Sequence, residues 1–343
     1  MKDKKLSPSL FFSMTWEFIN LYLPTQHSGS KNTIQAYTDA LTMFRRYVTD
    51  IKKYSILTFT FKECTYDFLL DYRNYMVTKE YASSSVNHRL SVIKAYVHYA
   101  ALRNVELQQF YFNIVETPLV DVPHIIPPII EDDEAIKDLL SAPGPSKKGI
   151  RDSMILTILF DTAIRCDELV RLKCSDVVLN PDNPYLLIHG KGDKERRVPL
   201  SNKTVNLIEQ YKSIYHNSCV RENPFFYTII KDEMSAMTER NVQRILKKYE
   251  AVLKEKYPDL PKLHPHILRR TRATKWHRSG VPMEVIAEIL GHSSVDTTRA
   301  SYAFSSPKSL KSHIDKTQKE DCKKEEKLWV GKEKELSQLC GLR

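Results

Sequence analysis

Five polar residues from Arg165 onward carry the first readable chemistry. They are Arg165 in Asp-Thr-Ala-Ile-Arg-Cys-Asp-Glu-Leu, Lys191 in Gly-Lys-Gly, His266 and Arg269 in His-Ile-Leu-Arg, and Tyr302 after Leu-Gly-His-Ser-Ser. A planar guanidinium gives two parallel hydrogen bonds to phosphate oxygens. An ammonium can protonate a leaving oxygen, and an imidazole donates or shuttles a proton near neutral pH. A phenol, whose free pKa is about 10, attacks only when cations stabilise its phenolate or a base takes its proton. Together these are the parts with which a phenolate attacks a phosphodiester.

Each fragment alone also has an ordinary reading. Arg165 and Glu168 lie three apart on a helix predicted over Met154 to Lys173, as a surface ion pair or as an arginine oriented by its carboxylate. Lys191 sits between glycines at the turn of a hairpin predicted over Tyr185–Leu200, where Lys194, Arg196 and Arg197 read as solvated charge or phosphate contacts. His266 and Arg269 open a helix whose free backbone amides favour an anion; the plain alternative is a capping histidine beside a surface arginine. His292 follows Gly291 at a helix end, where a cap interacting with the dipole is the plain reading. Tyr302 is one of 18 tyrosines, most of which a fold buries for packing, and it is the last along the chain.

The elements that must position these groups follow from periodicity and punctuation. From Leu10 to about Ile114 apolar residues recur at three and four, as in Thr33-Ile34…Tyr37…Leu41…Phe44…Tyr47, with Ser30 a candidate cap, and after Ser83-Ser84-Ser85; a small helical bundle follows. Prolines 118, 123, 127 and 128, with no glycine among them, mark a semi-extended connector. Glu131-Asp132-Asp133-Glu134 then opens a new helix, carboxylates being favourable at a helix N-terminus. One β-hairpin lies inside the second helical region. Pro265 starts a helix that Gly280 ends, and Pro282 one that Gly291 ends. The Lys- and Glu-rich tail from about Thr317 suits a solvated helix.

A length of 343 residues accommodates two cores, and 52 Lys+Arg against 42 Asp+Glu, an excess of +10, favours a polyanionic partner such as DNA over an acidic membrane surface. No apolar run suits a membrane span or a signal segment, which points to the cytoplasm. The six cysteines show no metal-ligand or CxxC spacing and read as reduced thiols; no cofactor or metal is expected.

The order of these segments resembles the tyrosine recombinase or phage-integrase family, in its Xer-like, mobile-element form. The resemblance rests on Arg165 with Leu169-Val170…Leu172…Asp176-Val177, Gly-Lys191-Gly, His266-Ile-Leu-Arg269, Leu-Gly-His292 and Tyr302. It implies a mainly α fold with a small β-hairpin or sheet, in two domains: a helical-bundle, SAM-like core-binding domain over 1–118 and a catalytic domain over 134–315. A linker over 119–133 and a tail over 316–343 complete the expected division, the tail being a candidate protomer contact. It implies a site-specific recombinase that cleaves and rejoins double-stranded DNA through a 3′-phosphotyrosyl link, four protomers acting on two duplexes, with accessory proteins left open. The catalytic set becomes Arg165, Glu168, Lys191, His266, Arg269, His292 and the nucleophile Tyr302. Two departures stand out: Arg270 occupies a place where a second histidine often follows the arginine, and Tyr302 lies ten residues after His292 where nine is usual. A type IB topoisomerase, a catalytically inactive DNA-binding protein and an unrelated basic regulator are the alternatives.

Overall fold

The structure is a computed structural model that describes residues 7, 9–26, 31–123, 127–190, 194–216, 220–292, 294–302 and 333–341. The chain divides into two compact units, Met1–Ile125 and Ile126–Arg343.

In the first unit, α1 (Thr15–Glu17) and α2 (Leu23–Gln26) are joined by a π turn, and α3 (Lys31–Arg46), α4 (Tyr66–Thr78), α5 (Ser83–Arg103) and α6 (Gln108–Val115) follow. Thr65 caps α4 by accepting from the Phe68 amide at 3.2 Å; Ser30 lies outside the described residues. The helices hold together by burying rings. Phe11, Phe18, Phe44, Phe59, Phe61, Tyr72, Tyr96 and Tyr99 are all at most 1% exposed, and Phe11 meets Phe44, Phe59, Phe61 and Tyr96 at centroid distances of 5.0 to 5.4 Å.

The second unit begins with α7 (Asp133–Ser141), where the Asp132 side chain accepts from the Glu134 amide at 2.8 Å, as the acidic run predicted. There follow α8 (Lys147–Asp161), α9 (Cys166–Arg171), β1 (Val177–Val178), β2 (Tyr185–His189), β3 (Glu195–Pro199), α10 (Asn202–Tyr215), β4 (Tyr227–Ile230), β5 (Glu233–Ala236), α11 (Glu239–Lys256), α12 (Pro265–Arg278), α13 (Met283–Leu290) and α14 (Val295–Tyr302). A last helix spans Glu333–Leu339; residues 303–332 and 342–343 lie outside the described residues. The antiparallel sheet runs β1-β2-β3, with Leu186 opposite Val198 and Ile188 opposite Arg196.

Two expectations are corrected here. The single hairpin is a three-stranded sheet plus a second hairpin, β4–β5, whose turn residues Lys231 and Asp232 have φ of 51° and 61°; no glycine announces that turn. The continuous helix over Met154 to Lys173 is broken: α8 stops at Asp161, Ala163 is left-handed at φ 52°, and α9 starts at Cys166. Arg165 is therefore the residue that precedes α9, not a position inside a helix. Cys64, Cys166 and Cys174 are buried, and Cys340 is exposed. Among the described residues no helix is long and apolar enough to cross a membrane.

Candidate active site

The break after α8 and the turn after α13 supply the frame. At the end of α13 the last four carbonyls need partners outside the helix. Gly291, left-handed at φ 66°, closes a Schellman turn in which the His292 amide donates to the Ala287 carbonyl and the Gly291 amide to the Glu288 carbonyl, both at 3.0 Å. The remaining two carbonyls are taken by arginines. Arg196 Nε donates to Ile289 at 2.9 Å, and an Arg269 terminal nitrogen to Leu290 at 2.7 Å. Two cations thus sit at the negative end of a helix dipole.

Arg269 joins both turns. It is 4% exposed, and its other terminal nitrogen donates to the carbonyl of the left-handed Ala163 at 2.7 Å. The left-handed residue of one segment is bound by an arginine from another, which periodicity along either segment does not show. His266 lies in the first turn of α12 behind Pro265 and opens to solvent. Desolvation, then Arg269, Arg270 and Arg165, holds its imidazole below the usual histidine range, so it is neutral at pH 7 and able to take a proton.

Glu168 is the pivot of the cation cluster. One oxygen accepts from the Arg165 amide at 2.7 Å and from Arg196 at 2.8 Å; the other accepts from the Arg165 guanidinium and from Arg196, both at 3.0 Å. Its side chain is 2% exposed, whereas Arg165 is 37% exposed and keeps the rest of its fork toward solvent. Burial raises the Glu168 pKa, but the hydrogen bonds and charges of Arg196 and Arg165 outweigh it and bring the carboxyl down to about 2. Arg196, expected as solvated charge or a phosphate contact, is instead 12% exposed and committed to this carboxylate. The signal was present in the strand alternation: Arg196 shares the face of buried Val198.

His292 stands between the arginines and α14. Arg269 donates to its Nε2 at 3.2 Å, and since arginine has no acceptor, that nitrogen is the unprotonated one; Nδ1–H then donates to Thr298 Oγ1 at 2.9 Å. Desolvation first, then the charges of Arg269, Arg165 and Arg196, pushes its pKa down to about 4. Thr298, fully buried and unnoticed in the sequence, links the His292 turn to the helix whose final residue is Tyr302. The structure brings Arg165, Glu168, His266, Arg269 and His292 into one electrostatic cluster. Lys191 lies outside the described residues, although β2 and β3 pair on either side of it as the expected hairpin. The backbone of Tyr302 ends α14. Three guanidiniums stand against one carboxylate, which Arg165 and Arg196 share, and this leaves excess positive charge in a partly buried frame, an arrangement that binds an oxyanion and stabilises charge developing on it.

The phage integrase family model matches residues 131–308, and that of the family's N-terminal SAM-like domain matches residues 18–104. A tyrosine recombinase of Agathobacter rectalis is 30% identical over 287 residues, covering 81% of this chain and 88% of that protein. Among solved structures, the XerH site-specific recombinase in a post-cleavage complex with palindromic difH is similar with a TM-score of 0.65 at 20% identity, covering 87% of this chain and 80% of that one. The Tn1549 transposon integrase in complex with a circular intermediate DNA gives 0.64 at 15% identity, covering 88% and 98%. The structural likenesses bear on the fold.

Proposed function

This chain belongs to the phage integrase family of tyrosine recombinases, site-specific enzymes that cleave and rejoin DNA strands, and from that premise we propose that Tyr302 is its nucleophile. Arg165 and Arg269 hold the non-bridging oxygens of the scissile phosphate, with Glu168 positioning Arg165. Tyr302 loses its proton to neutral His266, its oxygen bonds to phosphorus in line, and the bond to the 5′-oxygen breaks as Lys191 gives that oxygen a proton. The product is a 3′-phosphotyrosyl link and a free 5′-hydroxyl. A partner strand's 5′-hydroxyl reverses the step, so the phosphodiester energy is retained and no cofactor enters the scheme. His292 donates to the phosphate in its other tautomer once the Arg269 N–H that faces Nε2 has turned to the phosphate, with the Thr298 hydroxyl turning to donate to Nδ1.

The observation that carries this reading is the buried Arg269 guanidinium bound to both turns that frame Arg165 and His292. Exchange between two duplexes cuts four strands and calls for four protomers, a homo-tetramer on DNA. Strand exchange of this kind would serve integration or excision of a mobile element, in a bacterial cytoplasm. The division 1–118, 119–133, 134–315 and 316–343 gives the helical unit to DNA binding, the second unit to chemistry and the tail to protomer contact.

The test is covalent capture. A pool of randomised duplexes with a nick beside the variable core is incubated with the protein, and SDS-resistant adducts are recovered. Wild type forms an adduct and Tyr302→Phe does not; an undiminished adduct from Tyr302→Phe overturns the assignment. Relaxation of supercoiled plasmids lacking the recovered sequence points instead to a topoisomerase.

A further inference from the structure

Arg196 has no place in the scheme above, yet it is tied to two parts of the site at once. Three hydrogen bonds run from its guanidinium, two to the oxygens of Glu168 at 3.0 and 2.8 Å and one to the Ile289 carbonyl at 2.9 Å. The turn at residue 291 is shaped around it: a Cβ on Gly291 would fall 2.9 Å from an Arg196 terminal nitrogen and 3.1 Å from its guanidinium carbon. Arg196 stands on β3, the return strand of the hairpin whose turn contains Lys191.

The hydrogen-bond inventory of Glu168 shows what this does. A carboxylate offers about four lone-pair positions, and here Arg196 takes two, the Arg165 amide one and the Arg165 guanidinium one. Arg165 is therefore held by a single side-chain bond with the rest of its fork open. Were Arg196 absent, both oxygens could close on Arg165 as a bidentate pair, turning that fork away from a substrate and neutralising more of its charge. With 12% exposure, Arg196 is poorly placed to touch DNA itself.

We propose that Arg196 is a positioning residue for strand cleavage: by saturating Glu168 it keeps the Arg165 fork available to the phosphate, and through Ile289 it anchors the turn that carries His292. This rests on the roles given above to Arg165 and His292.

The experiment uses the full chain and the duplex recovered by covalent capture, comparing wild type, Arg196→Met, Arg196→Lys, Glu168→Gln and the double variant Arg196→Met/Glu168→Gln. Single-turnover cleavage at saturating DNA, DNA affinity, the pH profile of cleavage and thermal melting are read for each. Arg196→Met is expected to cleave about 100-fold more slowly, with DNA affinity changed less than about threefold. Arg196→Lys, which keeps the charge but not the fork, recovers only part of the rate. The acid limb of the profile stays where wild type has it, because the base is His266, whose charged neighbours are Arg269, Arg270, Arg165 and Asp167. The double variant is slower than Glu168→Gln alone by far less than the loss Arg196→Met causes on its own, because only the Ile289 anchor is left to lose.

Cleavage by Arg196→Met within about twofold of wild type overturns the inference, as do multiplicative losses in the double variant or a loss of affinity equal to the loss of rate. If Arg196→Met does not fold, the comparison of Glu168→Gln with the double variant, in which no buried carboxylate is stranded, decides the question. Failure of the underlying reading looks different: wild type itself then forms no adduct on Tyr302.

Discussion

The two units bury different things. In Met1–Ile125 the described interior is aromatic and aliphatic, with Thr117 its sole buried polar residue; in Ile126–Arg343 it includes Asp152, Glu168, Asp176 and Arg269. A ring packed among rings is held by contact area and shape, and a loss there is felt as stability. A buried charge persists only because specific donors and acceptors surround it, so a loss there alters both stability and the direction in which neighbouring charges point. The proposed chemistry accordingly falls where polar groups are buried and satisfied.

Several substitutions can break or sharpen that contrast. The largest effect is expected from Arg269→Ala, which strands the Ala163 and Leu290 carbonyls at about 1–3 kcal/mol each and lowers cleavage by about 10³-fold or more. Melting and single-turnover cleavage should fall together. Arg165→Ala should slow cleavage comparably while lowering stability by only about 1 kcal/mol, since Arg165 is partly exposed and Arg196 still satisfies Glu168. Equal melting losses in the two variants would erase the distinction between a buried and an open arginine. In the other unit, Phe44→Ala is expected to cost about 3–5 kcal/mol by leaving a cavity among rings, with the pH dependence of cleavage unaltered.

Glu168→Gln tests the charge side of the comparison through pH. The folded pKa of about 2 lies below the free carboxylate value of about 4.3. Glu168 therefore contributes stability above that free value, and the contribution is lost as pH falls toward 2. Urea denaturation from neutral to acid pH should show a shallower acid decline in the glutamine variant. Gly291→Ala combines a left-handed alanine, about 1 kcal/mol, with crowding of Arg196, so cleavage should suffer more than melting. The smallest change is Thr298→Val: cleavage slows about tenfold as His292 loses its Nδ1 partner, with little change in melting.

Much of the frame was legible where local punctuation decides structure. Pro265 and Gly280 bound α12, Gly291 closes α13, and the glycine-bearing turn announced the hairpin of β2 and β3. What escaped was set by tertiary contacts. The run from Met154 is helical in pattern through Lys173, yet an arginine more than a hundred residues away holds the left-handed Ala163 that breaks it. The β4–β5 turn uses Lys231 and Asp232 at positive φ, where sequence reading looks for glycine or asparagine. Arg196 was discounted because charge in a basic hairpin suggests solvent, although its strand parity with Val198 pointed inward. Thr298 carries no motif; its role follows only from where α14 sits.

The most direct test of the central claim is to locate the DNA. Trapped adduct is digested with trypsin and nuclease, and the modified peptide is sequenced by mass spectrometry. A nucleotide remnant linked to Tyr302, in the tryptic peptide Ala300–Lys308, is the predicted result. A remnant on any other residue, or an unmodified Ala300–Lys308 peptide from a protein that has cleaved its substrate, would contradict it.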